Sequence, residues 1–136
     1  MSRNSELAAA TLGHLTGLGI SQFVICAGAR NAPLVTSLLA AGTGLELKVW
    51  HHFDERAAAF FALGLSKAED GPVAVLTTSG TAAAELLPAA IESYYTGIPL
   101  VLVTADRPEC YRGSGAPQAI EQRGLFGIYA PLSIDV

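Results

Sequence analysis

Apolar positions along the chain change period repeatedly, from helical to extended and back, with no repeat, linker or low-complexity stretch between. From about Ser5 to Gly17 the spacing predicts a helix, capped by Asn4 or Ser5 and closed by the glycines of TGLG. QFVIC follows as a short apolar strand, then NAPLVTSLLAAG as a helix with Asn31 as N-cap and Gly42 past its end. LELKVWHH alternates, as a strand near a sheet edge does. DERAAAFFALGLSKAED is a third helix, begun by Asp54 and stopped before Gly71 and Pro72. VAVLTT is a third strand. TSGTAAAELLPAAIESYYTG is a fourth helix, kinked or split where Pro88 removes a backbone donor. IPLVLVTA is a fourth strand, followed by a polar loop from Asp106 to about Ala116, a short helix near QAIEQRG, and one more strand at PLSIDV.

QFVIC, VAVLTT and PLVLVTA are unbroken apolar runs, which suits parallel strands covered on both faces. The expected fold is α/β and three-layered: a mostly parallel sheet with helices on both faces, right-handed crossovers and a flavodoxin-like strand order. At 136 residues the chain has the length of one domain. AAAFFALGL and AAAELLPAAI are apolar all round, so these helices are expected to be covered on both sides, by the sheet and by a second chain or domain.

Composition points the same way. Charged residues make up 15% of the chain, against roughly 25% in a typical soluble domain. Extensive oligomerisation, or excision from something larger, would account for the deficit. The net charge of −4 and the scattered Lys and Arg exclude the basic stripe of a nucleic-acid binder, leaving small molecules or proteins as partners. Cys26 and Cys110 form no CxxC pair, no signal-like N-terminus precedes them, and the apolar runs are too short for a membrane span. The expectation is a reduced, cytoplasmic protein.

In an open parallel sheet, ligands bind beyond the carboxyl ends of the strands. The segments there are AGARNAP, FDER, TSGT and ADRP, which bring Gly28, Arg30, Asn31, Glu55, Thr78, Ser79, Gly80 and Arg107 to one edge. Each has a plain structural alternative. Gly28 and Gly80 could be turn glycines, Ser79 or Thr81 a helix cap, Arg30 and Arg107 loop anchors, and Glu55 a favourable charge in a first helical turn. His51 and His52 read as strand residues, because no partner stands at metal-ligand spacing. AGARNAP is not GxGxxG, TTSGTAAA lacks the lysine of a P-loop, and no GxSxG elbow is present.

Taken together and in order, AGARNAPL, HHFDERAAAFFALGLSKA, PVAVLTTSGTAAAELLPAAIE, GIPLVLVTADRPE and GAPQAIEQRGLFG resemble the N-terminal pyrimidine-binding domain of thiamine-diphosphate-dependent enzymes, over about residues 20 to 128. Within that family the likeness is strongest to the 2-succinyl-5-enolpyruvyl-6-hydroxy-3-cyclohexene-1-carboxylate (SEPHCHC) synthases of menaquinone biosynthesis. The resemblance implies that Glu55 is catalytic, facing N1′ of the cofactor's aminopyrimidine and promoting the tautomer that removes the thiazolium C2 proton. Gly28, Thr78, Ser79 and Gly80 would lie along the pyrimidine. Arg30, Asn31, Arg107 and Gln118 would face the substrates, 2-oxoglutarate and isochorismate, whose carboxylates suit guanidinium pairing.

The same resemblance implies a homo-oligomer, a dimer or dimer of dimers, and a diphosphate-binding domain, absent from this chain, that holds Mg²⁺. No metal ligand is expected within residues 1–136, which would be an excised N-terminal domain or one subunit of a split enzyme, inactive by itself. Ala27, Ala29 and Pro117 depart from the family's usual proline, serine and asparagine. A related decarboxylase or acyloin synthase with another acceptor therefore stays open, as do a non-catalytic anion-binding module and an oligomerisation domain.

Overall fold

The computed structural model describes residues 2–42, 44 and 46–136. Helix α1 spans Arg3–Gly17, and its cap is Ser2, which accepts from the Ser5 N–H, ahead of the predicted Asn4 or Ser5. Strand β1 is Gln22–Cys26 and helix α2 Ala32–Ala41. Strand β2 is Lys48–His52; Leu45, at the start of its predicted span, lies outside the described residues. Helix α3 is Glu55–Glu69, closed by Asp70 in the left-handed conformation, and strand β3 is Val73–Thr77. The predicted fourth helix is split into α4, Thr81–Ala84, and α5, Leu87–Thr96, with Pro88 in the first turn of α5, where its missing N–H costs nothing. Strand β4 is Leu100–Thr104.

The four strands are all parallel, in the order β2-β1-β3-β4. This is the flavodoxin-like arrangement that the sequence predicts. Both central strands are buried along their whole length, as their unbroken apolar runs require. Side chains alternate between the two faces. Phe23, Ile25, Ala74 and Leu76 meet Leu12 of α1 and Leu38 of α2, while Val24, Cys26, Val73 and Val75 meet Ala58, Ala59 and Ala62 of α3 and Ala89 of α5. The small residues of α3 and α5 let these helices lie close to the sheet.

Within this chain α3 buries one face only. Ala57, Phe60 and Gly64 lie on its exposed side, next to a fully exposed Phe53. Two predicted elements are not formed. Residues 131–136 make no strand: they are exposed along their length, and Pro131 has no N–H to give a ladder. The stretch QAIEQRG makes turns instead of a helix, because Gln118 sits at φ +57 and Gly124 at φ +73. Short 3₁₀ turns occur at Glu109–Tyr111 and Gly127–Tyr129. Among the described residues no helix is long and apolar enough to cross a membrane.

Candidate functional site

Parallel strands send all their following loops to one edge. The register pairs Cys26 with His52 and Thr77 with Thr104, so AGARN, FDE, TSG and ADRP leave the sheet side by side. The structure thus gathers the segments that the sequence nominates.

Glu55 opens α3. Asp54 is its N-cap, with Oδ1 accepting from the Ala57 N–H at 2.6 Å, which fixes the start of the helix. The half-buried Glu55 lines a cavity of about 370 Å³ with Ile25, Cys26, Ala27, His51, His52 and Phe53. A first-turn charge and a cavity-facing carboxylate are therefore the same residue in two roles. Burial first, then the carboxylates of Glu55 and Asp54, push the Cys26 thiol up to about 11. At neutral pH this thiol is protonated and is no nucleophile. His51 and His52 are strand residues as expected, and the His52 ring packs on Phe61 at 4.7 Å.

The loop after β1 is held from inside. Asn31 is fully buried at the N-cap position of α2 but makes no cap bond. Its Oδ1 accepts from the Gly28 N–H at 2.7 Å and its Nδ2 donates to the Cys26 carbonyl at 2.9 Å. The predicted cap thus serves the loop that carries Arg30. Gly28 is more than a turn residue, since a Cβ there would stand 2.6 Å from the Cβ of Thr78. Gly28 and Thr78 meet where β1 and β3 diverge, the switch point of the sheet.

The TSG loop shows a second departure. Gly80, at φ +85, occupies the N-cap of α4, and neither Ser79 nor Thr81 caps the helix with its side chain. The hydroxyls of Thr77, Thr78 and Ser79 are all buried and have no hydrogen-bond partner. Buried hydroxyls left unpaired cost about 1–3 kcal/mol each. A loop with hydrogen-bonding capacity to spare is compatible with a polar heterocycle lying along it.

Arg107 and Gln118 come together further along the edge. The Arg107 Nη2 donates to Gln118 Oε1 at 3.4 Å, while its Nε is buried without a partner. The backbone N–H of Arg107 donates to Asp106 Oδ1 at 2.6 Å. Asp106 also accepts from Arg112 at 3.2 Å, and Arg112 reaches Asp135 at 3.5 Å. Desolvation works against the Arg112 charge, but Asp135 and Asp106 outweigh it and hold the guanidinium above its ordinary value. Among the described residues no ion pair involves Glu55, Arg30 or Arg107.

Sequence reasoning passes over Gln122, whose side chain bonds both the Gly80 N–H and the Ala105 carbonyl. Its only sequence signal is a second glutamine four residues after Gln118. Among the described residues no group of three or more His, Cys, Asp and Glu could hold a metal ion.

Comparison with known proteins bears on the family of the chain. The profile of the family described as "Thiamine pyrophosphate enzyme, N-terminal TPP binding domain" matches residues 5–125. Curated relatives bear the name 2-succinyl-5-enolpyruvyl-6-hydroxy-3-cyclohexene-1-carboxylate synthase. One from Bdellovibrio bacteriovorus is 54% identical over 98% of this chain and 25% of its own length. One from Akkermansia muciniphila is 63% identical over 83% of this chain and 21% of its own. A third, from Geobacillus thermodenitrificans, is 50% identical over 97% and 22%. The chain therefore spans about a quarter or less of the length of these relatives.

Proposed function

Since the chain belongs to the family of N-terminal TPP-binding domains of thiamine pyrophosphate enzymes, we propose that residues 1–136 are the pyrimidine-binding domain of a synthase that decarboxylates 2-oxoglutarate and adds the succinyl unit to isochorismate, giving SEPHCHC. The observation that carries this reading is the half-buried Glu55 carboxylate at the strand-end cavity, on the same edge as the unpartnered hydroxyls of the TTSG loop. The synthase name of the curated relatives supports the choice of reaction.

When bound, thiamine diphosphate supplies the electron sink that lets a 2-oxo acid lose carbon dioxide. Glu55 would hold N1′ of the pyrimidine by a hydrogen bond and keep a proton at that nitrogen. Thr78, Ser79 and Gly80 would border the ring, with Gly28 allowing the close approach of their loop. Arg30, Arg107 and Gln118 would take the substrate carboxylates, since guanidinium groups that pair with no carboxylate among the described residues suit that task. Asn31, buried and bonded to the Gly28 N–H and the Cys26 carbonyl, would hold the Arg30 loop in place of touching substrate.

Mg²⁺ and the diphosphate would be held by a separate domain, so these residues by themselves would not turn over. The exposed Phe53 and the outer face of α3, with Phe60, would be covered in a dimer or dimer of dimers. A cytoplasmic location goes with this biosynthetic role.

The test is an assay of the complete protein with thiamine diphosphate, Mg²⁺, 2-oxoglutarate and isochorismate, following carbon dioxide release and SEPHCHC formation. Both are expected. Carbon dioxide release without consumption of isochorismate would favour a related synthase with another acceptor. That second reading is motivated by Ala27, Ala29 and Pro117, which offer no polar side chain on the substrate side.

A further inference from the structure

Beyond the last rung of the β3–β4 ladder, where the Ala105 N–H donates to the Thr77 carbonyl at 3.0 Å, the two chains separate. The Ala105 carbonyl and the Gly80 N–H then have no strand partner. A single side chain takes both: Gln122 Oε1 accepts from Gly80 at 2.8 Å, and Nε2 donates to Ala105 at 3.1 Å. A carboxamide presents one acceptor and one donor side by side, which this pair of backbone groups demands. The loop around it also presses on Gly80, where an added Cβ would stand 3.0 Å from the Gln118 Cα.

Gln122 thus ties its own loop to the two segments that leave the β3–β4 ladder. Arg107 lies two residues beyond Ala105, and Gln118 four before Gln122, so the bridge ties together the two segments that carry this pair. Gln118 is held at φ +57, a conformation that persists in a non-glycine residue only when its surroundings impose it. We propose that Gln122 is a positioning residue: its amide sets the spacing between the TSG loop, assigned to the pyrimidine, and the Arg107–Gln118 pair, assigned to a substrate carboxylate. The assignment of those two sides rests on the proposed function.

Gln122→Glu keeps the shape but, when ionised, offers two acceptors and sets a negative charge against the Ala105 carbonyl. Protonated, it regains the donor. In the complete protein this variant is expected to raise KM for 2-oxoglutarate about tenfold, the worth of one lost hydrogen bond, with a smaller change in kcat. Its melting temperature should move by no more than about 4 °C. The deficit relative to wild type should shrink as pH falls toward the carboxyl range, which loss of fold would not do. Gln122→Asn, a methylene shorter, should raise KM without that pH dependence. Independently of turnover, the Gly80 amide should exchange slowly with solvent in wild type and faster in both variants.

An unchanged KM in both variants, a KM change that only follows lost stability, or rapid Gly80 exchange in wild type would each overturn the proposal. Absence of carbon dioxide release by the wild type would sink the functional assignment instead, and Gly80 exchange alone would then decide whether the bridge exists.

Discussion

Around Glu55 the ligand edge is made by strand ends and the first turn of a helix, whereas around Arg107 it is made by a long loop that leaves β4 and is held mainly by side chains. On the first side the backbone is fixed by the β2-β1-β3 ladder, the Asp54 cap and the buried Asn31. On the second, position depends on individual side chains: Gln122 across the loops, and Asp106 and Asp135 on Arg112. The difference matches the work proposed for each side. A group that must meet one atom of a cofactor belongs on the rigid side, and groups that select among substrates can sit on the adjustable one.

Three substitutions in the complete protein bear on this contrast. The largest effect is expected from Glu55→Gln, which keeps the side chain's size and removes its acid–base function. Turnover should fall by about 10²–10⁴, with little change in melting temperature, since Glu55 makes no ion pair among the described residues. Steady-state kinetics beside a thermal melt separates the two. Retained turnover would remove Glu55 from the chemistry.

Arg107→Ala, on the other side, should act on substrate affinity. A charge-assisted hydrogen bond is worth about 1.5–3 kcal/mol, so KM for 2-oxoglutarate should rise roughly ten- to a hundredfold, with cofactor affinity measured by calorimetry unchanged. If cofactor affinity falls as well, the two sides are not separate. Gly28→Ala carries the smallest expected change and tests rigidity. Its Cβ would meet Thr78 at 2.6 Å, and the overpacking should lower stability by about 1–3 kcal/mol in a denaturant titration. A neutral result would mean that the Glu55 side yields more easily than its packing indicates.

The same contrast governs what the sequence could tell. Buried parallel strands write themselves as apolar runs, and QFVIC and VAVLTT became β1 and β3 with almost no ambiguity. Asp54 announced the start of α3, and Pro88 announced a break in the fourth helix that the chain makes two residues earlier. Past Asp106 the pattern lost its hold. QAIEQRG has the composition of a helix, but Gln122 within it reaches two other segments, a long-range condition that no local period records. Asn31 shows a subtler failure. Its type and place are those of a cap, yet its Oδ1 accepts from the Gly28 N–H instead of from the helix, and its Nδ2 donates to the Cys26 carbonyl. The edge that gathers Glu55, the TSG loop and Arg107 was legible from strand direction alone, whereas the empty hydrogen-bonding capacity of Thr77, Thr78 and Ser79 was visible only in three dimensions.

The bonds of Asn31 make the turn after β1 a closed bracket, with Gly28 and Asn31 as its fixed members and Ala27 and Ala29 hanging outside it, exposed. Because neither alanine side chain carries the shape of the bracket, both are exchangeable fittings. New chemistry could be mounted there, beside Arg30, while the frame beneath stays as it is.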